Sequence, residues 1–290
     1  MLKRSSVLLV LVSLLLLAAC DAAVTVGKYP TPIPTLNAPQ RSQMVVQYCV
    51  DDTGSYDRAY LHGANKAVAQ SIINSVVPNS QGLTVYATAI THNTFDPTNT
   101  LPPFVVQPVA APPALPALTP TPTPGDSDSF HAGSVRDSVN KANGSVVTAY
   151  NQQMQSYLDT LHAAQSQTTN DVQRLISWGP SMDTSATSIW GCLGLATQRL
   201  QNQPGTKYLI IASDMQNNTC ADCDPINLQG VSVHVIYYQS ANAVIAKNNQ
   251  DYWTPIFTQA GATSVRFDDP QTTQDQMSHP DATLFGGSQP

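Results

Sequence analysis

Apolar positions along the chain follow two rhythms. Unbroken runs at 44–50 (MVVQYCV), 83–90 (LTVYATAI), 207–213 (KYLIIAS) and 231–238 (VSVHVIYY) are too short for ordinary helices. They predict strands buried on both faces. Residues 262–267 predict another strand, and 104–109 a short edge strand. Between them the spacing turns helical: Tyr60, Leu61, Ala64, Val68, Ile72 and Val76 recur on one face of a helix over 56–76. Helices are also predicted over 188–201 and 252–260, and over 134–178 with breaks near Gly144 and Gln165. This alternation predicts an α/β fold: a doubly wound, mainly parallel sheet with helices on both faces. Ligands of such sheets bind at the carboxyl ends of the strands, where the strand order reverses. The polar residues just after each strand are therefore the first candidates for chemistry.

The start of the chain obeys another rule. Lys3 and Arg4 precede an apolar run from Val7 to Leu17, interrupted by Ser13. That run falls short of the roughly 20 apolar residues a spanning helix needs. A basic start, an apolar stretch and small residues before a cut predict a secretory signal over 1–19. Leu17-Ala18-Ala19-Cys20 resembles the bacterial lipobox, which implies that Cys20 is acylated and becomes the mature N-terminus. Lipid chains, at about 0.8 kcal/mol per buried methylene, would anchor the protein in the cell membrane, facing outside the cytoplasm. Residues 20–42 carry Pro30, Pro32, Pro34 and Pro39 and predict an extended stalk. A second stretch at 101–128 holds nine prolines. It interrupts the domain predicted at 43–270 and reads as a surface excursion. Residues 271–290 read as a C-terminal tail.

Composition narrows the chemistry. With 290 residues, a proper core is within reach. A net charge of −6 leaves no basic footprint, which argues against a nucleic-acid partner. All 19 acidic residues are Asp, and mechanisms that need a glutamate are excluded.

After the first strand stands Asp51-Asp52-Thr53-Gly54-Ser55. An acid and two hydroxyls at alternate positions supply hard oxygen ligands suited to Mg²⁺, Ca²⁺ or Mn²⁺. The same hydroxyls can instead cap the following helix. Asp183-Thr184-Ser185-Ala186-Thr187 is a near match elsewhere, which shows how readily the pattern arises.

Taken with later segments, the pattern resembles a von Willebrand factor type A domain over roughly 44–267. That family's metal-ion-dependent adhesion site takes Asp-x-Ser/Thr-x-Ser after the first strand, a Thr from a second loop and an Asp after the fourth strand. Thr187, before the helix at 188–201, and Asp214, after the strand at 207–213, match in order. The resemblance implies a divalent cation, Mg²⁺ or alternatively Mn²⁺ or Ca²⁺, held by Asp51, Thr53, Ser55, Thr187 and Asp214. It also implies a protein partner whose carboxylate completes the ion's shell, and recognition in place of catalysis. Two positions depart from the family. Thr184-Ser185-Ala186 replaces the usual Gly-Gly pair and makes Thr184 a rival ligand, and Met215 replaces the Gly after the last Asp. Asp52 is expected to point away.

The cysteines past Cys20 divide by setting. Cys49 in a strand and Cys192 on a helix predict inert core thiols. Cys220-Ala221-Asp222-Cys223 predicts a small disulfide, the default outside the cytoplasm. His234 on a strand predicts a packed side chain. Two other functions compete with an adhesion module. A solute-binding lipoprotein would need two similar lobes, and a hydrolase would need a Gly-x-Ser-x-Gly elbow, which the chain lacks, or Asp-x-Asp spacing after the first strand, which Asp51-Asp52 does not have.

Overall fold

The computed structural model describes residues 30–36, 38–121, 129–179, 186–216, 225–240 and 242–285. Cys20, Thr184, Cys220 and Cys223 lie outside them, as does the expected signal at 1–19. In chain order the elements are β1 (Met44–Asp51), α1 (Arg58–Ile73), β2 (Leu83–Ile90), a 3-10 turn (Pro97–Asn99) and β3 (Thr100–Val106). Then follow α2 (Ser129–Asp171), α3 (Gln173–Ile176), α4 (Ile189–Leu200), β4 (Thr206–Ala212) and β5 (Val231–Ile236). The last three are α5 (Ala243–Gln259), β6 (Ser264–Phe267) and α6 (Pro270–Met277). Two compact units result, which among the described residues comprise 30–35 with 113–155, and 36–112 with 156–285.

The larger unit holds one six-stranded sheet in the order β3-β2-β1-β4-β5-β6. All neighbours run parallel except β3, which runs antiparallel to β2. This is the doubly wound α/β fold expected. The chain leaves β1 to β2 on one side and returns as β4 on the other, so the order reverses between β1 and β4. That reversal marks where a ligand site belongs.

Strand alternation builds the core. Val46, Tyr48 and Val50 face a cluster with Leu61, Ala64, Val68 and Ile72 of α1. Val45 and Cys49 face the other side, with Ile189, Cys192, Leu193 and Leu200 of α4 and Trp253 and Phe257 of α5. Burying each large apolar side chain stabilises by about 1.5–3 kcal/mol, so the sheet needs no ion to fold.

Several expectations are corrected here. Cys49 and Cys192 are not thiols: they form a disulfide across 143 residues, linking β1 to α4 with Cα atoms 6.2 Å apart. Helix α2 runs unbroken through Gly144 and Gln165 and ends only at Asp171. An interior glycine costs a helix about 1 kcal/mol, which a 43-residue element absorbs. The edge strand starts at Thr100 and runs to Val106, into the expected excursion. Pro102 and Pro103 fall where the β2–β3 register shifts, a bulge that tolerates missing amides. Residues 271–285 are not a tail, since they continue α6 and bring Leu284 and Phe285 into the first core cluster.

Within the expected stalk, residues 31–33 are tied to α2 by hydrogen bonds. Extended proline-rich backbone has no internal hydrogen bonds, so its amides and carbonyls look outward for partners. Asn151 supplies both kinds, accepting from Ile33 N at 2.9 Å and donating to Thr31 O at 3.1 Å. Asn143 treats Thr119 in the same way, at 3.0 and 2.9 Å. Tyr150 donates its hydroxyl to Ile33 O at 2.8 Å.

Candidate metal centre

Asp51 ends β1 and Asp214 follows β4 by two residues, which puts both carboxylates at the reversal point. Thr53 donates its hydroxyl to Asp51 Oδ1 at 2.6 Å and lies 3.3 Å from the Ser55 hydroxyl. Thr187, from the loop before α4, donates to Thr53 Oγ1 at 3.1 Å. Ser55 lies close enough to Asp214 for its hydroxyl to lower that carboxyl. Asp51, Thr53, Ser55 and Thr187 are therefore linked by hydrogen bonds, with Asp214 beside Ser55.

Helix capping does not explain them. Asp57 caps α1, its side chain accepting from Ala59 N at 2.7 Å. Ser188 caps α4 by accepting from Gly191 N. Thr53, Ser55 and Thr187 are thus spared the capping role that their positions suggested. Asp52 turns away, as expected, and pairs with Arg58 at 2.9 Å.

The electrostatics leave room for a cation. Burial pushes the Asp51 carboxyl up to about 6. Hydrogen bonds from Ser213 and Thr53 oppose that rise, and the nearby Asp214 charge adds to it. Asp214 is raised too, by burial first, against bonds from the Gln216 amide and Ser55. Among the described residues, no group of three or more His, Cys, Asp or Glu side chains is arranged to hold a metal ion by itself. The donor set here is instead two carboxylates and three hydroxyls, a set that fits a hard divalent ion.

Sequence reasoning missed the supports. Ser213 donates to Asp51 Oδ2 at 2.6 Å while accepting from Met215 N at 2.9 Å. Met215 has φ 61°, in the left-handed region where glycine is at ease. The departure at this position therefore keeps a glycine-like backbone with a buried side chain in it. Asn249 donates to Asp214 O at 3.2 Å and Trp253 to Met215 O at 2.9 Å, so α5 fastens the loop. At the second loop, Ser188 N donates to Thr91 O at 3.1 Å, and Thr94 Oγ1 donates to Ser188 O at 3.2 Å. Gly191 permits this approach, since a Cβ there would lie 2.8 Å from the Thr94 Cβ.

No family model matches the chain, and no curated protein does. Solved structures do. One is a von Willebrand factor type A protein from Catenulispora acidiphila, 14% identical over 84% of this chain and 42% of that one, with a TM-score of 0.38. Another is the pilus adhesin SpaC from Lactobacillus rhamnosus GG in an open conformation. It is 10% identical over 86% of this chain and 30% of that one, with a TM-score of 0.39. These are likenesses of fold. The chain spans less than half the length of either structure.

Proposed function

We propose that this protein is a surface-displayed lipoprotein whose von Willebrand factor type A-like domain binds a protein partner through a divalent cation. Asp51, Thr53, Ser55, Thr187 and Asp214 would hold the ion, with Mg²⁺ the first choice and Mn²⁺ or Ca²⁺ the alternatives. The observation that carries this reading is the hydrogen-bond chain from Thr187 through Thr53 to Asp51, built from two segments far apart in sequence. Two acids and three neutral hydroxyls leave a bound ion electrophilic, and the chemistry it supplies is an open position for a partner's carboxylate. Ser213 and the α5 contacts hold Asp51 and the Asp214 loop in place for that encounter. The task is recognition, with Cys20 as the lipid anchor. No helix among the described residues is long and apolar enough to cross a membrane.

Calorimetric titration of the mature chain with Mg²⁺, Mn²⁺ and Ca²⁺ tests the reading. At least one ion should bind, and Asp51→Ala and Asp214→Ala should each abolish binding. Silence with all three ions would overturn it.

A further inference from the structure

The face of β1 that ends at Asp51 meets α4 along a seam with three rungs. Gln47, Cys49 and Asp51 lie two residues apart and so point to one face of the strand. At the lower rung, Arg199 donates to Gln47 Oε1 at 3.0 Å and to Thr88 Oγ1 at 2.9 Å. The middle rung is the Cys49–Cys192 disulfide, fully buried on both sides. The upper rung joins Asp51 to Thr187 through the Thr53 hydroxyl. Cys49 stands one pleat, about 7 Å of strand, below Asp51. Cys192 stands one turn into the helix whose entry carries Thr187.

The upper rung differs from the other two. It consists of hydroxyl contacts that an entering ion must share, so it cannot by itself hold Thr187 at the site. The covalent rung just below it can. Sliding or tilting α4 against β1 would move Thr187 away from Asp51, and the disulfide forbids both motions within one turn of the ligands.

Resting on the metal reading above, we propose that the Cys49–Cys192 disulfide is the positioning device of the metal centre. It places Thr187 for coordination, and its two-electron reduction by a dithiol weakens divalent-ion binding while the fold persists. In that reduction the S–S bond breaks, each sulfur takes a proton, and the reductant closes its own disulfide. The metal affinity of this domain then reports the redox state of its surroundings.

The test compares three forms of the mature chain by Mg²⁺ titration, at a temperature where near-UV circular dichroism shows all of them folded. Cys49→Ala/Cys192→Ala cuts the covalent rung. Leu200→Ala opens a cavity in the same helix and the same cluster without cutting it. Changes to groups that orient metal ligands shift affinity by about 10- to 100-fold. The cysteine variant should therefore bind Mg²⁺ at least about tenfold more weakly than wild type, and Leu200→Ala within about twofold. Unchanged affinity in the cysteine variant overturns the proposal, and so does an equal loss in both variants. If the double variant fails to fold, wild type titrated in a phosphine reductant replaces it with the same criteria. A wild type that binds no ion sinks the metal reading itself, an outcome distinct from the others.

Discussion

The indole of Trp253 donates to the carbonyl of Met215, one residue past Asp214, and so pins a non-glycine residue that the loop after β4 holds at positive φ. A side chain in that region costs roughly 1–2 kcal/mol. Met215 recovers the cost through burial in the cluster with Trp253. Truncation should therefore invert the usual ranking. Met215→Gly should be more stable than Met215→Ala by about 1 kcal/mol in urea denaturation, because only glycine sheds the backbone strain. Equal stability, or the reverse order, would show that the loop relaxes.

The raised Asp51 carboxyl makes a pH prediction with a definite sign. Its folded value of about 6 lies above the ordinary 3.8, so the folded state holds the proton more tightly. The ion-free protein should lose stability as pH rises from about 4 to about 6, by on the order of 3 kcal/mol from this group. An ion must displace that proton. Thermal stabilisation by Mg²⁺ should accordingly be large at pH 7.5 and largely gone at pH 5. Equal stabilisation at both would separate Asp51 from the ion.

Asp52 supplies the internal control. Its carboxylate pairs with Arg58 and faces away from the hydroxyl chain. Asp52→Asn should cost about 1 kcal/mol of stability, since Arg58 is partly solvated, and leave Mg²⁺ affinity within about twofold. A large affinity loss would place Asp52 in the ligand shell.

Peptide mapping of the unreduced chain should recover Cys49 and Cys192 as one crosslinked pair. Chain entropy makes such a long loop worth about 2–5 kcal/mol, so denaturant midpoints should fall clearly on reduction. Cys220 and Cys223 are expected to form a second, local pair, detectable in the same map. With Cys20 acylated, no cysteine should react with a thiol reagent under denaturing conditions.

The anchor is tested at the other end of the chain. Cys20→Ala should move the protein out of the membrane fraction or leave it unprocessed. Mass spectrometry of the wild-type mature N-terminus should find acyl chains.

Apolar runs were the legible part of this fold. Residues 83–90 were read as a strand to the residue, and β1, β4 and β5 to within a few, because strands buried on both faces write their length in the sequence. Helix α5 was read too short, since its buried contacts, Trp253 and Phe257, sit in its second half. Helix α6 buries only Thr273 and offers no stripe to find. The five candidate residues were legible by order along the chain, but Ser213 and Asn249 carry no spacing signal at all. The Cys49–Cys192 pair was missed for a related reason. Its partners are brought together only by the stacking of α4 on β1, which no local pattern records.

The outer border of the sheet has a consequence for life among identical neighbours. On β3, Pro102 and Pro103 present no amide, and Arg174 donates to the Pro103 carbonyl at 2.9 Å while its guanidinium lies 4.2 Å from the centre of the Phe104 ring. An incoming strand would meet a kinked border with two amides missing and one acceptor already taken. Copies crowded onto one surface could touch along this side without zipping into a shared sheet. The border is thus shaped against edge-to-edge pairing with another copy of the chain.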